Sequence, residues 1–249
     1  RYVIFAEGAQ SVQSLNASGS IGISEVHTVG YPKMDPFFIE GNFNRDKILK
    51  LLNLDPEKPV ILFAPTYKPT CLYDLKDEIF EATEDYNLII KLHHYIWMGK
   101  YASHKQHKIF EDRIKQYDHA VIIPKDDYSI LPLLYISDTL VSEASGAITE
   151  FLATEKTGII YNLDPDSLKH SDGEALLGFD NREYLKDSFV HINNPVELQA
   201  GIERALNPTV EMKKAQKIDR DKIFYKLDGK ASARVKQTVE QLIAQGSKV

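Results

Sequence analysis

Lys91 and His93 are the pair of residues in this sequence best placed to do chemistry. They close the apolar run Asn87 to His93, NLIIKLH, which reads as a buried strand. Side chains alternate along a strand, so Lys91 and His93 share a face while Leu92 and His94 point away. An imidazole near neutral pH can donate a proton, accept one, or bind phosphate as a cation. A lone histidine at a strand end is also a common structural residue, and only its neighbours weigh against that. Two further polar groups follow apolar runs. Thr66 and Lys68 come after PVILFA at 59–64, and Ser142-Glu143-Ala144-Ser145-Gly146 comes after Thr139 to Val141. The second of these leads into a helix expected over 147–154, with a strand at 158–161 closing a βαβ unit. A strand-to-helix turn of this kind presents backbone N–H groups and the positive end of a helix, both of which attract phosphate. It would hold a nucleotide diphosphate, or it is a plain bend made by Ser145-Gly146. Glu143 and Glu150 are candidate acids, with Glu150 on the ligand side of the helix or on its ordinary surface.

The elements that must position these groups alternate along the chain. Strands are expected at 1–5, 25–29, 59–64, 87–93, 120–124, 139–141, 158–161 and 189–192. Helices are expected at 44–54, 74–85, 103–117, 128–136 and 195–205, followed by a charged helical segment and a last helix over 230–244. The segment 6–21 reads as loop or weak helix, and 176–187 as an excursion. Gly30-Tyr31-Pro32-Lys33-Met34-Asp35-Pro36 is unsuited to regular structure, because its glycine permits positive φ and its prolines remove donors. The alternation predicts an α/β fold with a doubly wound parallel sheet of Rossmann-like type. Ligands of such sheets bind beyond the carboxyl ends of the strands, where Thr66 with Lys68, Lys91 with His93, and Ser142 to Gly146 all fall.

Composition narrows the function. The chain has 249 residues, a net charge of -6, and one cysteine, Cys71. The acidic balance argues against a general nucleic-acid binder. A single cysteine excludes an internal disulfide and a cysteine-built metal site. No apolar run approaches the roughly 18 residues of a membrane-spanning helix. The chain starts at Arg1 on strand-like sequence and reads as part of a longer protein. Metal motifs, a P-loop and G-x-G-x-x-G are absent, and Ser145 lacks the surround of an esterase nucleophile.

Five ordered blocks together resemble one family, the CDP-glycerol glycerophosphotransferases of teichoic-acid and capsule synthesis. GYPKMD at 30–35 resembles their GYP-basic-x-D junction. ILFAPTYK at 61–68 resembles their strand and turn ending APTW-basic, and IIKLHHY at 89–95 their basic-x-His strand end. LYISDTLVSEASGAITEFLATEKTGIIYNLD at 134–164 resembles their long block around a D-YSS turn, and DGKASARV at 228–235 the opening of their last helix. The resemblance implies a GT-B fold whose carboxyl-terminal domain binds the donor nucleotide with no cofactor and no essential divalent metal. It divides the chain into 1–36, the end of an amino-terminal domain and its junction; 37–208, the donor-binding domain; and 209–249, helices expected to pack back on the amino-terminal domain.

Carried over by position, His93 is the catalytic candidate that contacts or protonates the donor phosphate. Thr66, Lys68, Lys91, Ser142, Glu143, Ser145, Gly146 and Glu150 are the donor- and phosphate-binding candidates. Arg234 falls on the family's helix-start arginine. Ala144 replaces the family's usual Tyr and Gly146 a Ser, so fewer hydroxyls face a phosphate. The family's His-Gly-Thr turn, whose histidine is thought to act as base, belongs to an amino-terminal half and is not found here. The resemblance implies a transferase using a CDP-activated polyol and a polymer or lipid-linked acceptor. It would work in the cytoplasm at the inner membrane face, attached peripherally through other parts of the protein. A GT-B enzyme using a UDP-sugar, of glycosyltransferase or UDP-N-acetylglucosamine 2-epimerase type, is the first alternative. A non-catalytic nucleotide-binding domain is the second.

Overall fold

The apolar runs form strands in a computed structural model that describes residues 2–98, 105–127, 129–169, 174 and 181–246. The chain makes two compact units, Arg1–Phe43 with Lys217–Val249, and Asn44–Gln216. In the first unit, β1 (Val3–Ala6) pairs in parallel with β2 (Glu25–Thr28), placing Val3 opposite Glu25 and Ala6 opposite Thr28. Between them lies α1 (Ala9–Ala17), a full helix where the sequence reads as loop or weak helix. None of its residues is buried, so it carries no apolar stripe to announce it. Pro32–Phe38 is a 3₁₀ helix, against the expectation of irregular chain. Pro32 sits in its first turn, where a missing N–H costs nothing.

The second unit opens with α2 (Arg45–Leu51), whose N-cap Asn44 accepts the Lys47 N–H at 2.8 Å. There follow β3 (Val60–Phe63), α3 (Glu78–Glu81), β4 (Asn87–Ile90), α4 (Gln106–Arg113), β5 (Ala120–Ile122), α5 (Leu131–Ile136), β6 (Thr139–Ser142), α6 (Gly146–Leu152), β7 (Ile159–Tyr161), β8 (Val190–Ile192) and α7 (Leu198–Leu206). Six strands form one sheet in the order β5-β4-β3-β6-β7-β8, every neighbouring pair parallel. Every residue of β3, β4 and β6 is buried, as sheets covered on both faces require. The chain lays down β3, β4 and β5 in one direction, then returns so that β6 pairs on the other side of β3. The order therefore reverses between β3 and β6, and a crevice at such a switch point is where doubly wound sheets take ligands.

Several boundaries move. β4 ends at Ile90 rather than at 93, because the Lys91 N–H makes a last bond to the Phe63 carbonyl at 2.9 Å and the chain then turns into a short 3₁₀ helix, His94–Ile96. The helix expected at 74–85 shrinks to α3, since Cys71, Leu72 and Leu75 are drawn into the core through turns. The expected starts of the helices at 103 and 128 lie outside the described residues, as does 176–180 of the expected excursion. Pro132 occupies the first turn of α5, where it is tolerated.

The last elements are α8 (Val210–Ile223) and α9 (Ala231–Gly246). The units divide at 43/44 and 216/217, whereas the sequence reading puts junctions at 36/37 and 208/209. Phe37 and Phe38 belong to the same 3₁₀ helix as Asp35. The Gln216 amide is tied to Thr157 Oγ1 at 2.6 Å and the Ser188 carbonyl at 2.8 Å, which keeps the start of α8 with the sheet.

Within the first unit, the segments 30–35 and 228–235 interlock. The two Asp35 carboxylate oxygens accept the N–H groups of Ala231 at 2.9 Å and Ser232 at 2.7 Å, capping α9 from a distance in sequence. Arg234 donates to the Val29 carbonyl at 2.7 Å and to both Asp228 oxygens at 2.9 Å. Gly30 has φ of +92°, and a Cβ there would stand 2.6 Å from the Tyr225 carbonyl oxygen and 3.1 Å from the Arg234 guanidinium. Glycine is the residue that meets both constraints. Asp35→Ala should lower stability by about 1–2 kcal/mol, the cost of losing a helix cap. Urea unfolding measures it, and an unmoved midpoint would remove Asp35 from this role.

Candidate functional site

At the switch point the turns after β3 and β6 are joined by one carboxylate. Glu143 has no exposed surface. Its Oε1 accepts the Thr66 N–H at 2.8 Å, the Thr66 hydroxyl at 2.9 Å and the Cys71 N–H at 3.4 Å. The Cys71 thiol donates to Oε2 at 3.3 Å. Burial raises the Glu143 carboxyl above its ordinary range, while the bonds from Thr66, Cys71 and Thr70 pull it back down. Burial and the neighbouring carboxylate together push the Cys71 thiol well up, so it stays a protonated donor. The Ser142 hydroxyl is spent in the same way, donating to the Ala64 carbonyl at 2.7 Å across the β3–β6 boundary.

These bonds redirect two sequence candidates. Ser142 and Glu143 are wholly buried and face the scaffold, so neither side chain reaches a ligand. The Thr66 hydroxyl is likewise occupied, its one proton shared between Glu143 and the Pro69 carbonyl. The exposed groups lie in the next part of each turn. Lys68 and Gly146 are exposed, and a Cβ on Gly146 would meet nothing within 4 Å. Ser145 caps α6, its Oγ accepting the Ala147 N–H at 3.2 Å. Glu150 lies within α6 and is only 4% exposed, so it is not a surface glutamate.

The loop after β4 brings an imidazole, an ammonium and two phenol rings together. His93 is half-buried, and its Nδ1 accepts the Tyr95 N–H at 3.2 Å. With Nδ1 occupied as an acceptor, the proton of the neutral ring belongs on Nε2, which is then a donor. Burial, then His94, then Lys91 hold the His93 pKa down to about 4. At neutral pH the ring is therefore an uncharged N–H donor, which, of the three roles the sequence leaves open, disfavours the phosphate-binding cation. His94 does not point away: its ring lies 4.4 Å from that of His93 with 26° between planes. Tyr67 and Tyr95 close the cluster, with ring centroids 4.7 and 5.1 Å from His93. Lys91 supplies the fixed positive charge. Its ammonium donates to the Asp127 carbonyl beyond β5, and burial lowers its pKa.

The structure thus brings Thr66, Lys68, Lys91 and His93 to the carboxyl ends of β3 and β4, and Ser145 with Gly146 to the same end of β6. Sequence reasoning missed Cys71, Tyr67 and Tyr95. The apolar-run pattern held no sign of a thiol bonded to a carboxylate, but the aromatic flanks of Lys68 and His93 were visible. No group of three or more His, Cys, Asp or Glu side chains that could hold a metal occurs among the described residues. No helix among them is long and apolar enough to cross a membrane.

Residues 13–241 match the family described as CDP-Glycerol:Poly(glycerophosphate) glycerophosphotransferase. A teichoic acid glycerol-phosphate transferase of Staphylococcus aureus is 26% identical over 229 residues, 84% of this chain and 53% of that protein. A teichoic acid glycerol-phosphate primase of Bacillus subtilis is 28% identical over 156 residues, 58% of this chain and 36% of that protein. The chain thus spans about half or less of the length of these relatives. Among solved structures, the wall teichoic acid polymerase TagF superposes with a TM-score of 0.71 at 18% identity, over 98% of this chain and 58% of that one. That likeness shows the fold.

Proposed function

Because the chain belongs to the CDP-glycerol:poly(glycerophosphate) glycerophosphotransferase family, we propose that it carries the donor site of a transferase building a teichoic-acid-like or capsular polymer. The unit moved is glycerol phosphate or a related polyol phosphate, taken from a CDP-activated donor. An acceptor hydroxyl oxygen forms a bond to the β-phosphorus, its proton passes to a base or to solvent, the anhydride P–O bond breaks, and CMP leaves with the electron pair. The work of the site is to stabilise charge on the phosphate oxygens. His93 donates from Nε2 to a phosphate oxygen, Lys91 adds positive charge, and the exposed turn at Ser145-Gly146 lets a diphosphate approach the backbone. The observation that carries this reading is the Tyr95 N–H on His93 Nδ1, which leaves Nε2 to donate, beside the Lys91 ammonium just past the end of the same strand. The acceptor is a polymer or lipid-linked chain, met at the inner membrane face through parts of the longer protein.

A thermal-shift titration tests the donor. CDP-glycerol, CDP and CMP should stabilise the chain and UDP and UDP-N-acetylglucosamine should not. A ligand at about 100 times its Kd adds roughly 2.7 kcal/mol. Stabilisation by the UDP ligands alone would overturn the cytidine assignment, and none from any ligand would count against a donor site in this chain.

A further inference from the structure

A cavity of mixed polar and apolar lining lies at the end of the sheet where the strands begin. It measures about 520 Å³ and is lined by Pro59 before β3, Asp138 before β6, Lys156 and Thr157 before β7, and Asn207 and Lys213 at the α7–α8 connection. Its charges do not balance. Asp138 is already committed, accepting from Arg45 at 2.9 Å and from the Val60 N–H at 2.8 Å. The Lys156 ammonium, part-buried, donates to carbonyls, of Tyr135 at 2.9 Å and Ser137 at 2.5 Å. Lys213 donates to the Glu155 carbonyl at 2.7 Å, and the exposed Glu155 side chain is the one carboxylate that attracts it. Arg45, Lys156 and Lys213 thus meet Asp138 and Glu155, leaving one positive charge in excess. Carbonyls solvate an ammonium without neutralising it, and a buried uncompensated charge is costly. The Lys156 pKa reflects this. Burial pushes it down to about 8, Arg45 pushes the same way, and Asp138 only partly resists.

We propose that this cavity binds a singly charged phosphate group, a phosphate monoanion or a phosphodiester, between the ammonium groups of Lys156 and Lys213. One negative charge matches the excess. Each lysine keeps donors beyond those it spends on carbonyls, since an ammonium has three. The volume is larger than a single phosphate needs, which leaves room for the substituents of a diester. Nothing in this argument uses the crevice at the other end of the sheet.

Amide chemical shifts of the ¹⁵N-labelled chain, followed during titration at constant ionic strength, test it. The probes are inorganic phosphate and glycerophosphoglycerol. Saturable shifts at Lys156, Thr157 and Asn207 are expected. Saturation by the diester alone would identify a chain phosphodiester as the source, and saturation by inorganic phosphate would admit the free ion. Lys213→Ala, at an exposed position, should weaken the midpoint at least about tenfold, roughly one charge-assisted hydrogen bond. His93→Ala should leave it unchanged. Lys156→Met also removes a bond partner of the α5 carboxyl end, so Lys213→Ala is the deciding variant. Shifts that grow without saturating, or a midpoint untouched by Lys213→Ala, would overturn the proposal.

Discussion

His93→Ala in the full-length enzyme should lower turnover by at least about a hundredfold, the range for a positioned proton or hydrogen-bond donor. The donor KM should move less, because the phosphate charge that His93 meets grows as the anhydride bond breaks. The geometry sets a second readout that does not need activity. Nδ1 is held by the Tyr95 N–H, so nitrogen shifts of the ring should report the Nε2–H tautomer at neutral pH. The ring should titrate with a midpoint of about 4, well below the ordinary 6.5. The sign for stability follows. A histidine with a depressed folded pKa favours the neutral form, so it costs nothing above pH 6.5. As pH falls from 6.5 toward 4, the unfolded chain takes up a proton that the folded chain refuses, and stability is lost through that window. His93→Ala should remove that part of the acid sensitivity. A ring midpoint near 6.5, or near-normal turnover in the variant, would take His93 out of the proposed mechanism.

The sheet was legible because β3, β4 and β6 are buried on both faces, and such strands must be written as unbroken apolar runs. Helix α1 was illegible for the converse reason: with no buried residue, it has no period to display. The candidate site divides along the same line. That Thr66, Lys91, His93 and the Ser142–Gly146 turn share one end of the sheet followed from strand placement alone. Which side chains turn outward did not. Ser142 and Glu143 look like ligand groups in a polar turn, yet they are consumed by backbone groups of the strand paired next to β6, and that pairing joins residues 77 or 78 positions apart. A short segment cannot show such a debt of hydrogen bonds. The tautomer of His93 could not be read either, since it depends on a 3₁₀ turn that the apolar run did not announce. The motif 30–35 reads as irregular chain at a junction, and what its glycine and aspartate do there does not show in the segment alone. They receive the last helix of the chain, whose matching residues lie about 200 positions later.

Glu143 should prove more sensitive to replacement than any residue that faces the crevice. Glu143→Ala leaves the N–H groups of Thr66 and Cys71 and the Cys71 thiol without their acceptor, while the Thr66 hydroxyl keeps the Pro69 carbonyl. Each buried donor left unpaired costs about 1–3 kcal/mol, while removing a buried carboxyl relieves its own desolvation. A net loss of roughly 3 kcal/mol follows, or a fall in Tm of about 6–12 °C for a chain of this size. Glu143→Gln keeps an oxygen for Thr66 and carries no charge to desolvate, so it should lose about 1 kcal/mol or less. The comparison separates bonding from charge: if charge were what matters, Gln would fall with Ala. Function should follow the same order. The turns that Glu143 joins flank the proposed donor site, and a site works only when the groups around it are held. Cytidine ligands should therefore bind Glu143→Gln with nearly the affinity of the parent and bind Glu143→Ala weakly even below its melting temperature. Equal melting of the parent and Glu143→Ala would show that the β3 and β6 turns are fixed by other contacts.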